Sequence, residues 1–178
     1  GGDSQGKTIE VAEKNLLWIR FHVQGKQAHG SRPDEGANAC LAGYDLALRV
    51  NNLEKIFNKR DELFEPPYST FQPTKKESNV PNINTIPGDD VFCMDCRILP
   101  CYKLEQVKSE IDKLVAQVEN QYGVKIEYEC PQQVESPATP KDSDVVKLLT
   151  SGIKAVKNIE SKTIGISVTA ISNNIKAM

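Results

Sequence analysis

The first clear pattern along the chain is an alternation. In Leu16-Leu17-Trp18-Ile19-Arg20-Phe21-His22-Val23-Gln24, the residues Leu17, Ile19, Phe21 and Val23 share one face and Trp18, Arg20, His22 and Gln24 the other, which predicts a half-buried strand. After a polar loop over 25–35, apolar residues recur at Ala37, Cys40, Leu41, Tyr44, Ala47, Leu48, Leu53, Ile56 and Phe57. That spacing predicts a helix of roughly twenty residues. Pro66-Pro67 excludes helix, and residues 68–76 read as a strand. A long loop punctuated by Pro81, Pro87 and Gly88 leads to a strand over 91–99. Leu104, Val107, Ile111, Leu114, Val115 and Val118 predict a second helix stopped near Gly123, and residues 124–129 alternate again.

The order strand, helix, strand, strand, helix, strand predicts an α+β fold. Two helices on one face of a four-stranded antiparallel sheet form the ferredoxin-like βαββαβ arrangement, with right-handed crossovers. Residues 15–132 are expected to close into this unit. Residues 134–142, with Pro137 and Pro140, read as a linker. Beyond it a helix over 143–157, a short strand over 163–166 and the start of another helix are expected. Segments 1–14 and 133–178 are thus assigned to a second, incomplete α/β layer. The chain opens Gly1-Gly2-Asp3 without a methionine and stops at Met178 inside a helical stretch, so a piece of a longer protein is expected.

Charge narrows the function classes. Twenty-two basic and 24 acidic side chains leave a formal charge of −2, and the arginines and lysines form no long run. A basic surface for nucleic acid is therefore not expected. The outer positions Val91, Cys93, Asp95 and Arg97 of the third strand also lack the aromatics that stack RNA bases. No apolar run approaches about 18 residues and no signal-peptide pattern opens the chain, so neither a membrane partner nor secretion is expected and a cytoplasmic location is. Five cysteines, an odd number, suit reduced thiols. Cys93 and Cys96 lie three apart on a predicted strand, which points them to opposite faces and makes them a poor zinc chelate.

Candidate chemistry centres on His29, in the glycine-bearing loop Gln27-Ala28-His29-Gly30-Ser31-Arg32-Pro33-Asp34-Glu35-Gly36. It is either a solvated loop residue or a side chain placed to reach a ligand. His22 reads as a partly exposed sheet residue. Asn84, before Thr85-Ile86-Pro87-Gly88, either satisfies local backbone or offers its amide to a ligand. Arg97 shares a face with Asp95, so it either forms a plain ion pair or presents a guanidinium fork to a carboxylate.

The motifs Gly25-Lys26-Gln27-Ala28-His29-Gly30-Ser31-Arg32-Pro33-Asp34-Glu35-Gly36-Ala37-Asn38-Ala39, Asn84-Thr85-Ile86-Pro87-Gly88 and Asp95-Cys96-Arg97, with Ile9-Glu10-Val11-Ala12-Glu13-Lys14 before them, occur in that order. Together they resemble the zinc amidohydrolase family of acetylornithine deacetylase, succinyl-diaminopimelate desuccinylase and carboxypeptidase G. The resemblance implies that this region is the lid, a ferredoxin-like dimerisation domain inserted in a zinc-binding α/β catalytic domain, and that the chain forms a homodimer through it. It implies that His29 enters the partner subunit's active site and hydrogen-bonds the scissile carbonyl, while Asn84 and Arg97 bind the substrate's carboxylate end. The reaction it implies is hydrolysis of an N-acyl amino acid or short peptide by two zinc ions and a glutamate. The family's metal ligands have no counterpart in this chain, Asp3 being shifted past the nearest one. The chain is therefore expected to hold no zinc and to be inactive alone. Ser167-Val168-Thr169-Ala170 stands where the family has a Gly-Gly-Gly-Thr type run. The competing expectation is a free-standing ferredoxin-like module that binds a small ligand or oligomerises.

Overall fold

The computed structural model describes residues 7–140 and 142–167. In chain order it contains β1 (Thr8–Glu13), β2 (Asn15–Gln24), β3 (Ala28–His29), a 3-10 turn at Pro33–Glu35 and α1 (Ala39–Asn51). A second 3-10 turn (Asn52–Lys55), β4 (Thr70–Lys76), β5 (Thr85–Ile86), β6 (Asp89–Ile98) and α2 (Leu104–Tyr122) follow. The chain continues with β7 (Lys125–Val134), α3 (Asp144–Lys157) and β8 (Lys162–Ile166).

The main sheet has the order β4-β6-β2-β7 and is antiparallel throughout. With α1 and α2 as the crossovers it is the ferredoxin-like arrangement that the hydrophobic periods predicted. Leu17, Ile19, Phe21 and Val23 of β2 are buried to 1% exposure or less and form one core with α1 and α2. Phe21 stacks on Phe92 with ring centres 4.9 Å apart. Each such side chain contributes about 1.5–3 kcal/mol by leaving water, which ties the strand's register to its alternation. Cys96 is fully buried on this inner face, its thiol pushed far up by burial, while Cys93 lies half-exposed opposite.

Three elements differ from their expected form. The first helix stops at Asn51, well short of Phe57, and continues only as a 3-10 turn. Asn51 sends its side-chain amide to the Phe71 carbonyl at 2.6 Å, a use of the side chain that competes with helix continuation. β7 runs to Val134, into the stretch read as linker. It carries Pro131 because β7 is an edge strand whose register slips between Trp18 and Arg20, so the missing N–H breaks no ladder bond. The other edge, β4, likewise has a slip, between Pro73 and Lys75. The third difference is the ladder of β3 with β5, too short for any period to announce.

β1 and β8 form a separate parallel pair, with α3 packed on it through Val146, Ile9 and Val11. The Lys14 amide donates to the Ile166 carbonyl at 2.9 Å, just where the chain passes from this pair into β2. Asp3, the run Val168-Thr169-Ala170 and the helix expected after it lie outside the described residues.

Candidate functional site

His29 is placed by backbone. β3 pairs Ala28 with Ile86 and His29 with Thr85, and Gly30 donates to the Asn84 carbonyl at 2.7 Å. The base of this loop closes where Gly25 donates to the Gly88 carbonyl at 2.8 Å. A Cβ on Gly25 would stand 2.1 Å from the Ala37 carbonyl oxygen, and one on Gly88 would stand 2.7 Å from the Gln27 nitrogen. Only glycine permits that approach.

The His29 ring is exposed and held at both nitrogens. The Ser31 backbone N–H donates to Nδ1 at 3.2 Å, with the Ser31 hydroxyl 2.8 Å away, and the Asn84 amide lies 3.2 Å from Nε2. An N–H pointed at Nδ1 makes that nitrogen an acceptor, so the proton of the neutral ring sits on Nε2. Nε2–H is then a donor directed outward. It is matched by the Asn84 amide oxygen after a half-turn of the amide, or by an oxygen of a ligand. His29 and Asn84, 55 residues apart, thus form one unit. His22 lies elsewhere, on the outer face of the sheet, paired with Asp89.

Arg97 sits at the opposite end of the sheet. Asp95 grips it with two bonds, Nε to Oδ1 at 2.6 Å and Nη2 to Oδ2 at 2.9 Å, and Nη1 donates to the Ser167 carbonyl at 3.2 Å. The ion pair therefore exists, yet it engages only part of the guanidinium. Of five N–H donors three are taken and two remain. A fork held this way, with its side chain 18% exposed, is suited to accept a carboxylate. β6 begins beside the His29 loop and ends beside Arg97, so about eight strand residues, or roughly 25 Å, separate the two within one chain.

Two charged groups of consequence escaped the sequence reading. Lys14 is 2% exposed and donates from Nζ to the Pro66 and Tyr68 carbonyls at 2.8 and 2.7 Å. Burial lowers its pKa to about 8; nearby Glu65 works against this and Arg97 adds to it. Asp90, fully buried, accepts from Lys76 at 2.6 Å and from Asn79 at 3.1 Å. Neither position breaks an apolar run, so no local pattern signals it.

A four-stranded antiparallel sheet with two helices on one face, carrying a histidine–asparagine pair at one end and a held arginine at the other, defines a ferredoxin-like α+β domain. The peptidase dimerisation domain family matches residues 11–123, and the chain belongs to that family. It is 38% identical over 180 residues to an uncharacterized metallohydrolase of Methanococcus maripaludis, covering 92% of this chain and 43% of that protein. A second uncharacterized metallohydrolase, from Methanocaldococcus jannaschii, is 37% identical over 174 residues, with 92% and 42% covered. The chain thus spans less than half the length of these relatives. In fold it resembles aminopeptidase PepT from Bacillus cereus, with a TM-score of 0.78 at 16% identity over 96% of this chain and 43% of that one. A tripeptidase from Staphylococcus aureus gives 0.74 at 19% identity, with 96% and 43% covered. No helix among the described residues is long and apolar enough to cross a membrane.

Proposed function

We propose that the chain is the lid of a zinc-dependent amidohydrolase that cleaves the amide bond of an N-acyl amino acid or short peptide. The observation that carries this reading is the placement of the two candidate groups. The His29–Asn84 pair and the Arg97 fork lie too far apart in one chain to touch one small substrate. Two copies related by a two-fold axis remove the difficulty, because the His29 end of one copy can complete the site that holds Arg97 of the other. Nε2–H of His29 would donate to the scissile carbonyl oxygen as charge develops on it, a contribution of about 3–4 kcal/mol. Ser31 at Nδ1 would hold that imidazole in line, Asn84 would release Nε2 and turn its amide to the substrate's carboxylate end, and Arg97 of the other copy would bind the same carboxylate.

Self-association follows from the family, and we assign it to the side of the domain where α1 meets the edge strand β4. Leu41, Tyr44 and Leu48 lie three and four apart on α1 and are 51%, 53% and 63% exposed. Tyr44 and Leu48 border a groove of about 440 Å³ lined also by Gly43, Ala47, Pro73 and Phe92. An apolar helix face beside an open strand edge suits an isologous contact. Among the described residues no group of three or more His, Cys, Asp or Glu side chains is placed to hold a metal. The described residues do not fit zinc, and two zinc ions would be held by sequence that the longer relatives have beyond this segment. The chain alone is expected to be inactive. Five free cysteines support a reducing compartment such as the cytoplasm.

Mixing subunits tests the shared site. In the full-length protein His29→Ala and Arg97→Ala homodimers should each lose hydrolysis by about 100-fold or more. Dissociated and reassociated together, they should recover about a quarter of wild-type activity, because half the dimers are mixed and each mixed dimer has one intact site. Two inactive variants that stay inactive on mixing would refute the arrangement.

A further inference from the structure

Lys14 is costly where it stands. Its ammonium is removed from water and met by two neutral carbonyls, with no carboxylate among the described residues at ion-pair distance, whereas an apolar side chain of the same length would fill the space without that penalty. Both carbonyls belong to one segment, residues 61–68, which lies across the junction between the β1–β8 pair and the main sheet. The same segment also binds the end of β8. The Leu63 carbonyl accepts from the Gly165 amide at 2.7 Å, and the Glu65 carbonyl accepts from the Ser167 hydroxyl at 3.0 Å. Phe64 lies so close to Gly165 that a Cβ there would be 2.4 Å from the ring. Ser167 in turn gives its carbonyl to Nη1 of Arg97 at 3.2 Å.

A continuous series of contacts therefore runs from Lys14 through the 61–68 strap to Ser167 and on to the guanidinium. Asp95 fixes one edge of Arg97, and Ser167 fixes the rotation that the ion pair alone leaves to the long side chain. The charged groups facing Lys14 are Glu65 from the strap and Arg97 from β6.

We infer that Lys14 is a positioning residue for Arg97: through the strap and Ser167 it keeps the guanidinium turned so that its two unused N–H groups stay free for a carboxylate. The use of those two N–H groups for a carboxylate rests on the proposed role of Arg97. The link from Lys14 to Arg97 rests on the contacts alone.

Nitrogen-15 NMR of the arginine side chains in this chain tests the link. The readout is solvent exchange of the Arg97 Nε–H divided by that of Arg49, which is held in the same two-bonded way by Asp45 but lies on α1. In wild type the ratio should rise by about fivefold as Lys14 loses its charge-assisted bonds, with a midpoint near pH 8. Lys14→Met should show the raised ratio, about tenfold, already at neutral pH, and Ser167→Ala should raise it in part. The wild-type titration needs no variant and so cannot be lost to misfolding. A ratio flat through pH 8 and unchanged in folded Lys14→Met would reduce Lys14 to a staple of the strap and overturn the inference. Adding N-acetylglycine separates the two ideas. If the ratio follows Lys14 but the Arg97 signal ignores N-acetylglycine, the positioning link stands and the carboxylate role of Arg97 falls.

Discussion

Replacing Lys14 by Met should change how the stability of this chain depends on pH. The lysine pKa falls from 10.5 in the unfolded chain to about 8 in the folded one, because burial disfavours the ammonium. Below pH 8 both states carry the proton, and the folded state bears the full desolvation cost. As pH rises through 8 the folded chain releases the proton while the unfolded chain keeps it up to 10.5, so the unfolded state binds more protons and stability rises with pH. At 1.36 kcal/mol per unit the whole effect is about 3 kcal/mol, of which about 2 kcal/mol falls between roughly pH 7.5 and 9.5. Burial also raises the thiol pKa values of Cys96 and Cys130, which lowers stability over part of the same window, but these groups are common to both proteins. Urea unfolding of wild type and Lys14→Met at several pH values isolates the lysine as the difference between the two curves. Loss of the bonds to Pro66 and Tyr68 adds a constant offset to the variant and leaves the slope alone. Curves that stay parallel within about 0.5 kcal/mol over that window would refute the account of Lys14 as a buried, proton-releasing amine.

Other perturbations read other parts of the fold. Lys76→Met strands the fully buried Asp90 carboxylate and should cost about 3 kcal/mol by urea denaturation, most of it recovered when Asp90→Asn is added. Gly43→Ala places a Cβ 2.2 Å from an Asp90 carboxylate oxygen, and the resulting displacement from Lys76 should lower the unfolding free energy measured in urea by about 1–3 kcal/mol, as overpacking does. Leu48→Glu, on the exposed face of α1, should weaken the dimer by about 10-fold or more in sedimentation equilibrium while leaving the monomer's thermal stability within about 0.5 kcal/mol; an unchanged dimer moves the interface elsewhere. Asn38→Ala removes the side-chain cap on the Leu41 amide and should cost about 1 kcal/mol in thermal unfolding.

Much of this protein is legible in one dimension. The alternation of β2 marks its buried face because each side chain's exposure depends only on which side of the pleat it occupies. The stripe from Leu104 to Val118, ended by Gly123 in a left-handed conformation, marks α2 for the same local reason. These periods determine the ferredoxin-like order, and the glycines around His29 and Asn84 mark their loops as places where backbone must come close. What the sequence leaves open is which distant residues meet. The two-residue ladder that joins His29 to Asn84, the burial of Lys14 against carbonyls more than fifty residues away, and the separation of Arg97 from His29 along β6 carry no period. The edge prolines of β4 and β7 are permitted by strand order, which is itself a non-local outcome. Local patterning records how each residue partitions between water and protein; only the folded chain decides which partner occupies the dry side, because that choice depends on contacts between segments far apart in sequence.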